Sequence, residues 1–334
     1  MLDLYRRVRR LGEGTHGVVY LYQKKTSPST HKELAVSSDE EEAEQVAQAM
    51  TKRARLDDST LPEFVAVKKF RGKRSSQGLS LDVLREIKVL FELEHPFVMK
   101  VFDIVAKRDS VLMVIESMNS DLEKLLADPK VVLRIADVKT YLKMMLEAIH
   151  HCHKRWILHR DLKPANMLIA PDGSIRLADF GLSRTFASPN SELSPQACTL
   201  WYRAPELLFG ARYYGPGSDM WSIGCIFAQM LLRIPLFTGN SEIDQLSKIF
   251  AVLGTPDTQS WPGVDTLPSY VEFTKTDPPP LSSFLTAAPA SAIDLLSQML
   301  RFNPSDRISA FDALQHSFFK SLPHPTAIQD LPRF

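Results

Sequence analysis

The alternation of hydrophobic and polar residues predicts β-structure in the first third of the chain. Residues 4–22 alternate around a cluster of glycines, which is typical of a strand, a tight turn and a second strand. Residues 64–70 form a β-branched segment that predicts a third strand, and residues 81–94 carry apolar positions at helical spacing. Two further short strands are predicted at residues 98–105 and 111–116.

After Asn119 the pattern becomes mainly helical. Helices are predicted at residues 121–127, 136–155, 218–232, 241–253, 290–301 and 309–318. A small strand-rich lobe followed by a larger helical lobe is an α+β arrangement. We therefore predict a bilobal α+β fold, with an N-lobe over residues 1–118 and a C-lobe over residues 119–334.

Residues 24–62 depart from both patterns. Ser, Thr, Pro, an acidic run and a basic cluster replace the hydrophobic alternation there. Such a composition buries too little apolar surface to order a segment by itself. We therefore predict a flexible, solvated insertion within the N-lobe.

Composition narrows the class of protein. The net charge of +1 gives no sign of a nucleic-acid-binding or membrane-surface protein. Three scattered cysteines without a Cys-x-x-Cys pair fit a reducing compartment, and no second ligand pair follows the His-His-Cys-His run at residues 150–153 to make a zinc site. The most apolar stretch, residues 220–232, is too short to span a bilayer. We expect a soluble nuclear or cytoplasmic protein without direct membrane or nucleic-acid contact.

Three glycines lie between the first two predicted strands. Gly12, Gly14 and Gly17 fit the spacing Gly-x-Gly-x-x-Gly, which is weak by itself because dinucleotide-binding folds and ordinary hairpin turns also contain it. In a dinucleotide fold the third glycine opens a helix, whereas here residues 18–22 predict a strand. A glycine loop between strands can lie over the phosphates of a nucleotide.

A lysine and a glutamate follow this loop. Lys68 lies in the third predicted strand, and Glu86 lies beside the apolar face of the predicted helix. Each alone is more simply a solvated charge. As an ion pair between strand and helix, they would orient the lysine towards the α- and β-phosphates of a nucleotide.

The strongest motif lies in the predicted C-lobe. Residues 159–166 read His-Arg-Asp-Leu-Lys-Pro-Ala-Asn, and residues 179–181 read Asp-Phe-Gly. Together these segments match the catalytic loop and the metal-binding motif of protein kinases. A chance occurrence of both motifs, in this order and after the glycine loop, is negligible.

The residue types of this motif suit phosphoryl transfer, in which catalysis is mostly positioning and charge neutralisation. Asp161 would accept the proton of the substrate hydroxyl, and Lys163 would neutralise the transferring phosphoryl group. Asn166 and Asp179 would hold Mg²⁺ through oxygen ligands.

With these motifs located, the chain resembles the cyclin-dependent kinases over nearly all of its length outside residues 24–62. The resemblance is carried by the segments GEGTHGVVY, LREIK, LHRDLKPAN, ADFGLSR, TLWYRAPELL and DMWSIGCIFAQM. It implies one protein kinase domain over about residues 4–319 and a cyclin partner that binds the helix of Glu86. Residues 78–86 differ from the matching segment of the cell-cycle members, which implies another class of cyclin.

The resemblance also implies an ATP site, in which the backbone of Glu116 and Met118 bonds the adenine, with Leu11 and Val19 above the ring. The residues that it implies for ATP binding are Leu11, Gly12, Glu13, Gly14, Thr15, Gly17, Val19, Ala66, Lys68, Glu116, Met118 and Asp121.

Three further residues have structural roles by the same resemblance. Glu206, which closes the activation segment, would pair with Arg307. Asp219 would steady the catalytic loop from a buried helix.

The activation segment carries a regulatory site by resemblance. Ser194 takes the position of the activating phosphosite, and Arg85, Arg160 and Arg184 match the three arginines that would bind its phosphate. A phosphoserine brings about two negative charges and can order a loop through such bonds. Pro195 follows, so Ser194 is itself a site for a proline-directed kinase.

Within the family, residues 155–158, 188–190 and 208–212 look most like the branch that activates other cyclin-dependent kinases and phosphorylates the RNA polymerase II tail. Residues 199–201 and 261–264 look more like the cell-cycle branch. The resemblance implies a proline-directed serine/threonine kinase that uses ATP and Mg²⁺ and acts on Ser/Thr-Pro sites. A cell-cycle kinase and a catalytically silent kinase-fold scaffold remain as alternatives. A MAP kinase is disfavoured because the activation segment lacks a Thr-x-Tyr pair.

Overall fold

The computed structural model describes residues 2–14, 17–25, 62–71, 81–107, 110–186 and 200–332. The chain divides into two compact units. The first comprises Met1–Glu94 and Met99–Met118, and the second comprises His95–Val98 and Asn119–Phe334. Most of the predicted insertion lies outside the described residues.

The first unit contains an antiparallel five-stranded sheet with the strand order β1-β2-β3-β5-β4. Its strands are β1 Tyr5–Gly14, β2 Gly17–Lys24, β3 Phe64–Arg71, β4 Val101–Lys107 and β5 Ser110–Glu116. One face of this sheet holds a core of Tyr5, Val65, Val67, Leu112 and Val114. The spacing of two between the paired valines and between the β5 residues is the period of a strand, so these side chains share a face.

Helix α1, Leu81–Glu92, completes the first unit. Val83, Ile87 and Leu90 are buried at a spacing of three and four residues, while Leu84 and Lys88 are exposed. This is the stripe expected of an amphipathic helix that packs on one side. The predicted helix and the predicted strands of this region are confirmed, with β4 beginning three residues later than the sequence pattern suggests.

The second unit is mainly helical. Its helices are α2 Leu122–Ala127, α3 Ile135–His153, α4 Pro205–Leu208, α5 Pro216–Leu232, α6 Glu242–Leu253, α7 Ala290–Met299, α8 Ala310–Gln315 and α9 Ser317–Lys320. Helix α5 is buried on nearly every side from Ser218 to Met230, as its almost unbroken apolar sequence requires. The α+β fold class is confirmed. Among the described residues, no helix is both long and apolar enough to cross a membrane.

Short strands that the sequence pattern did not predict frame the loops of the second unit. They are β6 Ser120–Asp121, β7 Ile157–Leu158, β8 Met167–Ile169, β9 Ile175–Leu177 and β10 Arg184–Thr185. They pair as β6-β8-β9 and as β10-β7. Segments of two or three residues are too short to display a period of two, so only their pairing partners reveal them.

The helix predicted over residues 309–318 is wrong in one respect. The chain is extended at His316, which separates α8 from α9. The Nδ1 atom of His316 accepts a hydrogen bond from the N–H of Phe318 at 3.1 Å. The imidazole therefore caps the second helix, which a pattern of apolar positions cannot indicate.

Candidate active site

The first unit holds the glycine hairpin. In the β1–β2 register, Gly14 lies opposite Gly17 and Gly12 lies opposite Val19. A Cβ atom at Gly17 would overlap the carbonyl oxygen of Lys69 on β3, so this position requires glycine.

The other residues that the resemblance implies for ATP binding are mostly in the same unit. Leu11 is exposed on β1, and Ala66 is buried in the middle of β3. Glu116 ends β5, and Met118 follows it as a half-buried residue. Thr15 lies outside the described residues. Their contact with ATP stays a prediction.

An ion pair joins β3 to α1. The Nζ atom of Lys68 lies 2.5 Å from Oε1 of Glu86, and only 2% of the Glu86 side chain is exposed. Glu86 occupies the buried stripe of α1, so the helix holds the carboxylate and the carboxylate orients the lysine. The pairing predicted from the sequence is therefore present within this unit.

The second unit brings three catalytic-loop residues together. Nζ of Lys163 lies 2.8 Å from Oδ2 of Asp161. The amide nitrogen of Asn166 donates to the same oxygen at 3.0 Å and to the main-chain oxygen of Asp161 at 2.8 Å. Two donors on one carboxylate oxygen fix the orientation of the carboxylate. The site can therefore present a fixed carboxylate oxygen as an acceptor for a proton.

Asp219 of α5 holds the backbone of this loop. Its two carboxylate oxygens accept the N–H groups of His159 and Arg160, each at 3.0 Å. Arg160 has φ 72°, a left-handed conformation that costs a non-glycine residue about 1–2 kcal/mol. His153 of α3 also bonds Asp219, with its Nε2 atom 2.9 Å from Oδ2. The bonds to Asp219 therefore stabilise a backbone shape that would otherwise be unfavourable.

The imidazole of His159 links the loop to the Asp-Phe-Gly segment. Its Nδ1 atom accepts the N–H of Asp161 at 3.3 Å, so Nε2 carries the proton and donates to the carbonyl oxygen of Ala178 at 2.9 Å. The ring of Phe180 is fully buried and meets His159 edge-on, with 4.7 Å between centroids. Asp179 lies between Ala178 and Phe180 in the sequence, and its backbone has a left-handed conformation with φ 64°.

The donor set formed by Asn166 and Asp179 fits Mg²⁺. The N–H of Ala178 donates to the carbonyl oxygen of Asn166 at 3.0 Å, which brings the two segments side by side. Because the amide nitrogen of Asn166 is bonded to Asp161, its amide oxygen is the atom left to bind a cation. An amide oxygen and a carboxylate are the hard ligands that Mg²⁺ prefers.

The structure gives Asp121 a local role. Its carboxylate caps α2, accepting the N–H of Lys124 at 2.9 Å and pairing with the Lys124 ammonium at 2.7 Å. Its predicted contact with ATP stays a prediction.

The three arginines that are predicted to bind a phosphate on Ser194 belong to both units. Arg85 lies on α1, whereas Arg160 and Arg184 lie in the second unit. Ser194 is outside the described residues. The guanidinium of Arg160 lies over the ring of Tyr214, 5.3 Å from its centroid. The binding of a phosphate on Ser194 by these arginines therefore stays a prediction.

Sequence reasoning missed His153 and Tyr214 as supports of the catalytic loop. In the sequence, His153 is one of a run of histidines at a predicted helix end. Its position six residues before His159 was a signal that it lies near the catalytic loop. For Tyr214 no local signal exists, because it meets Arg160 only through the fold.

Comparison with known proteins adds the family. Residues 54–319 match the protein kinase domain. The cyclin-dependent kinase 7 of Dictyostelium discoideum is 50% identical over 274 residues, which cover 81% of this chain and 76% of that protein. Cyclin-dependent kinase D-1 of Arabidopsis thaliana is 42% identical over 331 residues, 99% of this chain and 75% of that protein.

A solved structure matches as well. A chain in the CAK complex of Chaetomium thermophilum bound to ATP-γ-S has a TM-score of 0.84 and 34% sequence identity, over 99% of this chain and 95% of that chain. The chain therefore belongs to the protein kinase family and, within it, to the cyclin-dependent kinases. It is an ATP-using serine/threonine protein kinase, and its resemblance to the activating branch is confirmed.

Asp219 gives a testable dependence of stability on pH. Burial alone would raise its pKa, but the bonds from His153 and the Arg160 backbone outweigh burial and hold the pKa below its ordinary value of 3.8. The folded protein thus favours the ionised carboxylate. Its contribution to the free energy of unfolding is present when the pH is above the ordinary pKa of 3.8, and it is lost as the pH falls through the lowered pKa of the folded state.

We expect Asp219→Asn to cost about 1–3 kcal/mol of unfolding free energy at pH 7, and less in acid. Urea unfolding at pH 7, 3.5 and 2.5 measures the difference, because the contribution of the carboxylate is lost only below its ordinary pKa of 3.8. Asp265→Asn, at an exposed acid of the same unit, is the matched control and should change little at any pH. A loss for Asp219→Asn that does not vary with pH would contradict the prediction.

Proposed function

We propose that this kinase works with a cyclin and Mg²⁺ on Ser/Thr-Pro sites, in the tail of RNA polymerase II and in the activation segments of other cyclin-dependent kinases. The observation that carries the proposal is similarity along almost the whole chain to cyclin-dependent kinase 7 relatives and to a chain of a CAK complex. Such substrates lie in the nucleus, which is the location that we propose.

The proposed roles follow the chemistry of each residue. Asp161 accepts the proton of the substrate hydroxyl, and Lys163 neutralises charge on the transferring phosphoryl group. Lys68, oriented by Glu86, binds the phosphates of ATP. Asn166 and Asp179 would hold Mg²⁺, which when bound neutralises the phosphates and aligns them for transfer.

Regulation is part of the proposal. A phosphate on Ser194, bound by Arg85, Arg160 and Arg184, would order the activation segment through charge-assisted hydrogen bonds. The proposed cyclin binds the face of α1 that carries no core residues, and its class differs from that of the cell-cycle members.

A paired set of peptides tests the proposed specificity. The purified kinase–cyclin complex is offered a polymerase-tail peptide, an activation-segment peptide and a histone peptide, each with Ser-Pro and with Ser-Ala. We expect transfer to the first two Ser-Pro peptides and at least about tenfold less transfer to their Ser-Ala partners. A tenfold ratio corresponds to a preference of about 1.4 kcal/mol for proline after the serine.

Other results discriminate the alternatives. Preference for the histone peptide favours a cell-cycle kinase, and no transfer to any peptide favours a silent scaffold. Equal use of Ser-Pro and Ser-Ala peptides contradicts proline direction.

A further inference from the structure

An open cavity at the carboxyl end of α3 collects basic side chains away from the catalytic loop. Its volume is about 740 Å³, and its lining includes His95, His151, Lys154 and Arg155. Glu147 is the acidic residue of the lining. All of these residues belong to the second unit.

Helical spacing explains how one face of α3 and the following turn become basic. Residues three and four apart lie next to each other on a helix, so Glu147, His151 and Arg155 form one row and His150 and Lys154 form the neighbouring row. Cations at a helix carboxyl end interact favourably with the helix dipole, which accounts for a basic end but not for a buried donor there.

The hydrogen bonds of the two facing imidazoles determine where their protons lie. Nδ1 of His151 lies 3.1 Å from a guanidinium nitrogen of Arg155. Because a guanidinium only donates, this Nδ1 accepts, and the neutral ring carries its proton on Nε2. Nδ1 of His95 accepts the N–H of Phe97 at 3.2 Å, so its proton is also on Nε2.

Both rings therefore carry their N–H donor on Nε2. Their centroids are 4.8 Å apart. Nε2 of His151 is buried, and no acceptor for it exists among the described residues. An unsatisfied buried donor is costly, and its presence in a basic cavity indicates that an acceptor from outside the chain belongs there.

The electrostatics of the cavity point to the same kind of acceptor. Burial, followed by the positive charge of Arg155, His95, His150 and Lys154, lowers the pKa of His151 to about 4. Burial and the charges of Arg155 and His150 also lower the pKa of His95. A bound anion would offset this mutual repulsion and raise both values, because it favours the charged form of each ring.

We propose that this cavity is a phosphate-binding site, in which the Nε2–H groups of His95 and His151 together with Arg155 and Lys154 bind a phosphate dianion. A tetrahedral phosphate offers several strong acceptor oxygens and so suits a cavity lined by two imidazoles, an ammonium and a guanidinium. The volume leaves room for residues that flank a phosphoserine. Free phosphate and a phosphoserine side chain share this chemistry, and Glu147 disfavours anionic groups that approach from its side of the cavity.

Nuclear magnetic resonance of the histidine rings in the full chain tests the site. Inorganic phosphate, a phosphoserine peptide and the same peptide without phosphate are titrated at constant ionic strength, with chloride as the balancing anion. We expect saturable shifts of the His95 and His151 ring signals with a phosphate-bearing probe, and an increase in the pKa of His151 when the probe is bound.

Variants separate specific binding from bulk charge. Arg155→Gln should weaken phosphate binding at least about tenfold, since a charge-assisted hydrogen bond is lost. Lys248→Gln on α6 removes the same charge from an exposed position outside the lining and should leave binding unchanged. His151→Phe tests the ring donor, and Arg155→Gln keeps the test intact if that variant does not fold.

Several outcomes decide the proposal. Shifts with both phosphate-bearing probes support it, and shifts with the phosphopeptide alone support it with the peptide as the source of the phosphate. Equal shifts with the peptide that lacks phosphate would overturn it, as would unchanged binding in Arg155→Gln. The absence of any saturable shift would also overturn it.

Discussion

Replacing Asp161 with asparagine is expected to lower the rate of phosphoryl transfer about a thousandfold, within the range for loss of a general base. Asparagine has the shape of aspartate and can still accept hydrogen bonds from Lys163 and Asn166 through its amide oxygen. It cannot accept the proton of the substrate hydroxyl. The substitution therefore removes the chemistry of the site while keeping its packing.

The measurement is transfer of labelled phosphate from ATP to a Ser-Pro peptide by the kinase–cyclin complex, with the affinity for a fluorescent ATP analogue measured alongside. Asp172→Asn is the matched control, because it removes an exposed carboxylate of the same unit that bonds Ser174 locally. Asp172→Asn should keep full activity. If Asp161→Asn retained more than about a tenth of the activity, the role of Asp161 as proton acceptor would be wrong.

The second large effect concerns the ion pair between Glu206 and Arg307, which is buried on both sides. Two nitrogens of Arg307 donate to the two carboxylate oxygens of Glu206, each at 2.6 Å. The other donors bond the carbonyl oxygens of Arg301, Gly217 and Phe302. All five N–H groups of this guanidinium thus have acceptors, and the pair joins α4 to the start of α5 and to the chain after α7.

Arg307→Met is expected to lower the unfolding free energy by about 3–5 kcal/mol, because it leaves the Glu206 carboxylate buried without its partner. Adding Glu206→Gln should recover part of the loss, since the uncompensated charge is then removed as well. Urea unfolding followed by tryptophan fluorescence is suitable, because the guanidinium of Arg307 lies 5.0 Å from the centre of the buried Trp221 ring.

An exposed ion pair of the same unit provides the control. The Nζ atom of Lys143 lies 4.0 Å from Oε1 of Glu147, and 53% of the lysine side chain is exposed. Lys143→Gln should change stability by less than about 1 kcal/mol. A loss for Arg307→Met that is no larger than this would show that the buried pair contributes little.

The catalytic motif was predictable because its chemistry is local in sequence. Asp161, Lys163 and Asn166 are within six residues, and their contacts form inside one loop. Lys68 and Glu86 are also paired as the sequence predicts, since a strand followed by an amphipathic helix leaves few ways to pack. The predicted contacts with ATP stay predictions, because they depend on a ligand and on residues of both units.

The segment over residues 24–62 shows how the structure refines a boundary. The N–H of Lys24 donates to the carbonyl oxygen of Glu63 at 2.8 Å, and the hydroxyl of Tyr5 donates to the carbonyl oxygen of Pro62 at 2.7 Å. The two ends of the segment therefore meet beside the sheet, where β2 and β3 pair. Composition identified the segment, but only strand pairing places its ends together.

The sequence by itself determined the class of fold, the order of the longer strands and helices, and the protein kinase class of the chain. These follow from hydrophobic periodicity and from motifs whose members are close along the chain. Only the tertiary structure decided which distant groups meet, as when His153 and the backbone of His159 converge on Asp219, or His95 faces His151. Periodicity reports which face of an element is buried, whereas the partner on that face depends on packing between segments far apart in sequence.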